Sequence, residues 1–301
     1  MKWINYESHL EILPPQVFSF AECLVFLGRS QEEVLHRLND GYLYKLLLIE
    51  DEMILVKISE AEGIIKVEFP LGASNTSKRI QVVTHIEEWF DLHSDLEEFY
   101  QMANEDQLLK RMVEKYYGLR MIGIPDLFEA LTWAIMGQQI NLSFAYLLKK
   151  RLVESYGKSL TFEGNTYWIY PTYEVIANVK VEDLRNLQFT TRKAEYIIGI
   201  AKMMVSGEMT KERLKKQEYH ELHTQLMKIR GVGAWTADYV MMKCFHQYSS
   251  FPIADVGLHN ALKLQLGLEN KPTIHDIRAI ATNWEGWQSY ATFYLWRSLY
   301  D

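Results

Sequence analysis

Apolar positions along the chain follow two different periods. Up to about residue 85 they fall in short runs rich in Ile, Val and Leu: 44–50 (YKLLLIE), 53–59 (MILVKIS), 64–69 (IIKVEF) and 79–85 (RIQVVTH). The segments EDE, EAEG and LGASNTSK between them are acidic or glycine-bearing, as turns require. Hairpin-length spacing predicts an antiparallel sheet. Ser30 with Glu33 in SQEEVLHRL reads as a capping box that opens a helix ahead of these strands. A sheet with one face covered by a helix is the expected outcome.

From about residue 90 the apolar spacing becomes helical. It predicts helices over 94–103, 105–117, 126–137, 142–156, 180–187, 191–206, 217–229, 235–246, 256–266, 273–283 and 286–299. Ser94 with Glu97 and Asp126 with Glu129 look like helix starts, Gly118 and Gly157 like helix stops, and Pro171-Thr172 opens a further short helix. Only TYWIY, 166–170, has strand character in this part. The fold class is therefore α+β. An antiparallel sheet domain with a helix spans 1–105, and a mostly helical core spans 106–301 in two lobes dividing near 205–217.

Composition narrows the function. At 301 residues and 48% hydrophobic, the chain can bury a core for two or three domains. It has no apolar run of membrane-spanning length and no charged-then-apolar leader, so a soluble intracellular protein with no membrane partner is expected, as a monomer. Cys23 and Cys244 are too few for a disulfide framework, an iron–sulfur cluster or a structural zinc site, and no metal is expected. The net charge of −7 is unevenly spread. Residues 1–110 carry 9 Lys and Arg against 20 Asp and Glu, while the remainder carries 23 against 19. A mildly basic portion can therefore approach phosphates while the acidic portion faces away.

The stretch LMKIRGVGAWTADYVMM, 226–242, breaks one helix and starts another at once. Gly231 and Gly233 permit the turn and a close approach of backbone, and Val232 between them is apolar enough to plug the helix pair. The second helix begins near Ala234, where unpaired amides form a ready phosphate site. Lys228 and Arg230 add charge, and Thr236 offers a hydroxyl. A plain helix–turn–helix corner would look the same. Further on, FPIADVGLHNALKL places Asp255 directly before a helical pattern. Asp255 suits a helix cap. The helix dipole also favours an anion there, and an anion stabilises a developing positive charge. The two uses are compatible.

Four motifs occur in order: LFEALTWAIMGQQINLSFA, LMKIRGVGAWTADYVMM, FPIADVGLHNAL and WEGWQSYATFYLWRSL. Together they resemble the helix-hairpin-helix superfamily of DNA glycosylases, and within it the DNA-3-methyladenine glycosylase II branch, over roughly residues 110–300. The sheet domain is also similar to the extra N-terminal domain of that family. The resemblance implies damaged double-stranded DNA as partner, with Gly231, Gly233 and Thr236 gripping backbone phosphates and the lesion turned out of the duplex. It implies Asp255 as the group that stabilises the oxocarbenium character of the sugar and orients or deprotonates water.

A cationic alkylated base should lie against electron-rich rings. The resemblance places Trp235, Tyr239 and Trp296 in that pocket, although Tyr239 and Trp296 also suit plain core packing. Trp133, Trp284 and Trp287 read as packing. Related enzymes that also cut the strand carry a lysine where Trp235 stands, so hydrolysis without lyase chemistry is expected. The loop holding Gln138 and Gln139 should enter the gap left by the base. Leucine is the usual inserted residue and Gln139 stands in its place, a less apolar wedge. No cofactor is implied beyond a monovalent cation on the hairpin carbonyls.

The histidines of HELH, His220 and His223, are three apart rather than four and read as an exposed helix face. Lys149-Lys150-Arg151, Lys215-Lys216 and the acidic cluster between Glu87 and Asp106 read as solvated surface. A non-catalytic DNA-binding protein with the same hairpin, or a glycosylase for deaminated or oxidised purines, are the alternatives.

Overall fold

A computed structural model describes residues 2–72 and 75–301; Ala73 and Ser74, within the expected LGASNTSK turn, lie outside the described residues. The N-terminal part contains β1 (Lys2–Asn5), β2 (His9–Leu13), helix α1 (Phe20–Leu27), β3 (His36–Asn39), β4 (Tyr42–Ile49), β5 (Glu52–Ala61), β6 (Ile64–Glu68) and helix α2 (Thr76–Trp89). The six strands form one antiparallel sheet in the order β1-β2-β6-β5-β4-β3.

Alternation sets the faces. Leu10, Ile12, Ile54, Val56, Ile58, Ile65 and Val67 point into the main core, whereas Leu46 and Leu55 point to the opposite side. The run ILV, 54–56, is buried continuously rather than alternately because both faces of the sheet are covered there.

Two expectations for this region fail. Residues 79–85 lie inside α2, not in a strand. Arg79, Val82, Val83, Ile86 and Trp89 form its buried stripe, and Asn75 caps it by accepting from the Lys78 amide at 3.0 Å. The two adjacent valines are part of a helical stripe that mimics a short strand. SQEEVLHRL is not a helix either. The Glu33 carboxylate accepts from the Val34 and Leu35 amides at 2.9 and 2.8 Å and from Lys149 Nζ at 2.5 Å. With that side chain committed, the backbone turns straight into β3. The helix lies upstream as α1, where Ser19 accepts from the Glu22 amide.

The rest of the chain is helical apart from one hairpin. In order it holds α3 (Glu97–Glu105), α4 (Gln107–Lys115), α5 (Leu127–Gly137), α6 (Leu142–Tyr156), β7 (Lys158–Phe162), β8 (Asn165–Ile169), α7 (Tyr173–Ala177), α8 (Val181–Asn186), α9 (Thr191–Val205), α10 (Lys211–Leu214), α11 (Tyr219–Met227), α12 (Ala234–Phe245), α13 (Val256–Gln265), α14 (Ile274–Ile280) and α15 (Gln288–Arg297). Asp126 caps α5 and Asp255 caps α13, each through a carboxylate oxygen on a first-turn amide. The β7–β8 hairpin covers the outer face of the sheet, with Tyr167 against Leu46 and Leu55.

Several charged groups expected at the surface are internal. Lys149 is 5% exposed and pairs with Glu33, while Lys150 pairs with Glu32 at 2.7 Å, so these lysines fasten the 30–35 turn onto α6. Burial pushes the Glu33 carboxyl up, but the Lys149 ammonium beside it outweighs this and holds it well below the usual carboxylate range. In the acidic cluster, Asp91 is 4% exposed and accepts from Tyr290, Tyr248 and Ser94. Asp106 caps α4 and accepts from Trp284 Nε1 at 2.9 Å. Ser94 is thereby spent on Asp91, and α3 starts without a side-chain cap. One hydrophobic core runs from the sheet through α5, α12 and α15.

Candidate active site and nucleic-acid interface

Helices α11 and α12 form the hairpin foreseen around GVGAW. Val232 is buried between them and plugs the turn. Gly231 sits at φ 93°, and a Cβ there would come within 2.3 Å of the Tyr196 ring. It is glycine because that ring covers it. Gly233 is different: it is exposed and extended at φ −100°, and a Cβ there would meet nothing within 4 Å. Nothing inside the protein demands glycine there. The first intrahelical amide bond runs from Ala237 to the Gly233 carbonyl, and no side chain caps α12. The amides of Ala234, Trp235 and Thr236 thus crown an open helix N-terminus with its positive dipole end.

The side chains around this turn are partly turned inward. Thr236 is 1% exposed, and its hydroxyl accepts from Gln138 Nε2 at 2.9 Å; the same amide donates to the Gly231 carbonyl at 2.9 Å. Neither side chain is therefore free to contact phosphate, in contrast to the expectation for Gln138 and the Thr236 hydroxyl. They brace the hairpin against the 138–140 loop. Gln139 is exposed at the tip of that loop in the left-handed region, φ 55°. Lys193 was not anticipated. It is buried and donates from Nζ to the carbonyls of Met136 and Gln138 at 2.7 and 2.8 Å, closing the end of α5 under the loop. Arg230 is exposed and pairs with Glu195 at 2.8 Å.

On the hairpin, the Ile229 carbonyl accepts from the Val232 amide and the Gly231 carbonyl from Gln138, which leaves each oxygen a second lone pair. Among the described residues no cluster of His, Cys, Asp and Glu could hold a metal ion, and His223 instead lies 3.6 Å from Asp238.

Asp255 is the focus of the site. Its Oδ2 accepts from Trp235 Nε1 at 3.0 Å, and its Oδ1 accepts from Trp296 Nε1 at 2.8 Å and from the Leu258 amide at 2.8 Å. The residue is half-buried. It is a helix cap and more: two indoles from α12 and α15 fix its plane. Gly257 makes this possible, since a Cβ there would lie 2.8 Å from Asp255 Oδ1 and 3.1 Å from Trp296 Nε1. Sequence reasoning passed over Gly257; a glycine two residues after a capping aspartate was the available signal.

The three aromatic residues expected together are together. Tyr239 lies between the two tryptophans, with centroid separations of 5.7 Å to Trp235 and 6.1 Å to Trp296 and interplanar angles of 34° and 35°. Trp133, read from sequence as packing, joins them by donating from Nε1 to Tyr239 Oη at 2.9 Å. Trp284 is fully buried against Asp106, and Trp287 stacks on Tyr248 with centroids 5.1 Å apart, so both belong to the core.

An uncapped hairpin N-terminus on α12, an oriented carboxylate at the start of α13 and an aromatic wall shared by α12 and α15 define a helix-hairpin-helix protein. The family described as HhH-GPD superfamily base excision DNA repair protein matches residues 132–287, and the 8-oxoguanine DNA glycosylase N-terminal domain matches residues 14–131. The chain belongs to the HhH-GPD superfamily of base excision DNA repair proteins. It is 44% identical to the DNA-3-methyladenine glycosylase of Bacillus subtilis over 100% of both chains. It is 27% identical to DNA-3-methyladenine glycosylase 2 of Escherichia coli over 60% of each. Among solved structures it is similar to the 3-methyladenine DNA-glycosylase from Archaeoglobus fulgidus, with TM-score 0.82 and 25% identity over 95% of this chain and 97% of that one.

Proposed function

We propose that the protein is a monofunctional DNA glycosylase that removes N-alkylated purines, of the 3-methyladenine and 7-methylguanine type, from duplex DNA in base excision repair. The observation that carries this reading is the Asp255 carboxylate, clamped by Trp235 and Trp296 at the mouth of an aromatic wall. The similarity to proteins named 3-methyladenine glycosylases over the full chain supports the lesion class.

In this reading the α12 amides and the bare Gly233 hold a backbone phosphate, Gln139 enters the space left by the extruded nucleotide, and the base lies against Trp235, Tyr239 and Trp296. N-alkylation makes the purine cationic, so it is attracted to the ring faces and departs neutral as the glycosidic bond breaks. The sugar becomes positive in that step. Asp255, held so that it need not reorganise, stabilises that charge and directs water to the anomeric carbon. Trp235 occupies the hairpin position where an amine would be needed for a Schiff base, so water completes the reaction and an abasic site is left.

The test is base release from methylated duplex DNA. Asp255→Asn should keep DNA binding and lose release by about a hundredfold or more, and borohydride should trap no enzyme–DNA adduct with wild type. Equal release by both proteins would remove Asp255 from catalysis; binding with no release by either would leave a DNA-binding module, and a strong trapped band would refute the hydrolytic mechanism. Single-lesion duplexes with deaminated or oxidised purines decide the substrate class.

A further inference from the structure

A cavity of about 50 Å³ lies at the seam between the N-terminal sheet and helices α5, α6 and α12. It has room for a few waters or for one small ion. Asp255, Trp235 and Trp296 do not line it, so it is separate from the site described above. Four cations do line it, Arg29, Lys45, Lys149 and Lys243, against two carboxylates, Glu33 and Glu129. Glu33 is spent on Lys149. Glu129 lies beyond ion-pairing distance of the other three cations, which have no carboxylate partner among the described residues. His36 adds no charge near neutrality, because burial pushes its imidazole down to about 4.

The same lining is rich in donors and short of acceptors. Arg29 follows Gly28 at the end of α1. Its guanidinium lies 3.9 Å from the Phe26 ring centroid and 5.5 Å from that of Tyr146, and Nη1 donates to the Phe26 carbonyl at 2.7 Å. Its other N–H groups find no acceptor among the described residues. Lys45 Nζ stands 4.8 Å from the Trp89 centroid. Lys243 is 3% exposed; its Nζ sits 4.7 Å from the Phe293 centroid and 5.2 Å from that of Phe26, and it donates to no oxygen among the described residues. Burial, with the nearby Arg29 cation second, pushes this amine well below the usual lysine range. Ring faces offset only part of the water that such a cation has lost. Two hydroxyls are in the same position. Tyr239 Oη accepts from Trp133 Nε1 at 2.9 Å, and Tyr146, 2% exposed, has no partner for its Oη, so neither hydroxyl proton has a protein acceptor.

We propose that this cavity is a binding site for a small monovalent anion of the halide class, held by Arg29 and Lys243 with the Tyr146 and Tyr239 hydroxyls as further donors. Such an ion supplies both things the lining lacks, a negative charge and an acceptor that takes several donors at once. Water supplies no charge, and each molecule brings two protons that need acceptors of their own. The ion links Arg29 at the end of α1 to Lys243 on α12. It therefore fastens the sheet to the helical part and backs the Tyr239 ring from the side opposite Trp235 and Trp296.

The experiment follows the thermal midpoint while potassium gluconate is replaced by potassium chloride or bromide at a constant ionic strength of about 0.15 M. Wild type should rise saturably by about 2–5 °C with either halide. Lys243→Met, which removes the buried charge at similar length, should show no halide response and should melt at or above wild type in gluconate. Arg29→Met should flatten the response as well, and it serves if the Lys243 variant fails to fold. Crystals grown in bromide should give an anomalous peak in the cavity. No rise in wild type, or an equal and unsaturable rise in wild type and variants, would reduce the effect to general salt and overturn the site. A Lys243→Met protein melting well below wild type in gluconate would show that the charge is already compensated, and a cavity without an anomalous peak would leave it to water; either result also overturns the proposal.

Discussion

Gly257→Ala isolates the active-site geometry from the stability of the fold. The glycine is the second residue of α13 and its backbone is helical, so alanine is conformationally acceptable and raises helix propensity by up to about 1 kcal/mol. The added methyl, however, would stand 2.8 Å from Asp255 Oδ1 and 3.1 Å from Trp296 Nε1. Restoring an ordinary contact of 3.4 Å moves the carboxylate oxygen by about 0.6 Å and the indole nitrogen by about 0.3 Å. The Trp296–Asp255 hydrogen bond, now 2.8 Å, then stretches to the limit of a useful interaction. A hydrogen bond to a charged group contributes roughly 1.5–3 kcal/mol, so kcat should fall by about 10- to 150-fold. Single-turnover release of alkylated base at saturating enzyme reads this directly. Binding to undamaged duplex should stay at its wild-type value because the hairpin is untouched, and the thermal midpoint should stay close to wild type because the helix propensity gained offsets the small shifts of Trp296 and of the Asp255 cap. Wild-type turnover would show that the precise position of Asp255 is unimportant. A large drop in thermal midpoint would show that the methyl acts on the fold instead.

The two hairpin glycines should separate. Gly231→Ala forces a methyl into Tyr196 at a positive φ and should cost about 1–3 kcal/mol of stability by denaturant unfolding. Gly233→Ala should leave stability unchanged and weaken duplex binding, and equal stability loss in both would contradict the assignment of Gly233 to an external ligand. The Lys149–Glu33 pair gives a pH-dependent test. The Glu33 carboxyl is held below its unfolded value, so its contribution is present above about pH 4.5 and is lost as pH falls further. Lys149→Met should cost about 3–5 kcal/mol near neutrality by leaving Glu33 buried alone, and less in acid, as read from urea midpoints at about pH 7 and about pH 4. A loss that did not shrink in acid would mean that packing, not charge, holds the 30–35 turn.

The amino-acid sequence already determined the parts whose physics is local. Carboxylate-capped helix starts at Asp126 and Asp255, the broken helix at GVGAW and the aromatic spacing of Trp235 and Tyr239 are all set by residues within a few positions of one another. The sheet was legible through β4, β5 and β6, which carry adjacent β-branched or leucine residues, whereas β1 and β3 carry no such pair, β2 has one only at its end, and 79–85 carried an ambiguous pair of valines. What failed was decided at a distance. Glu33 left its capping role because Lys149, far along the chain on α6, is buried beside it. Gln138 and Thr236 turned inward because each completes the hydrogen bonds of the other. Only the folded chain brings the indoles of Trp235 and Trp296, 61 residues apart, onto the two oxygens of one aspartate, because no local pattern records which side chains three separate helices will point at one another.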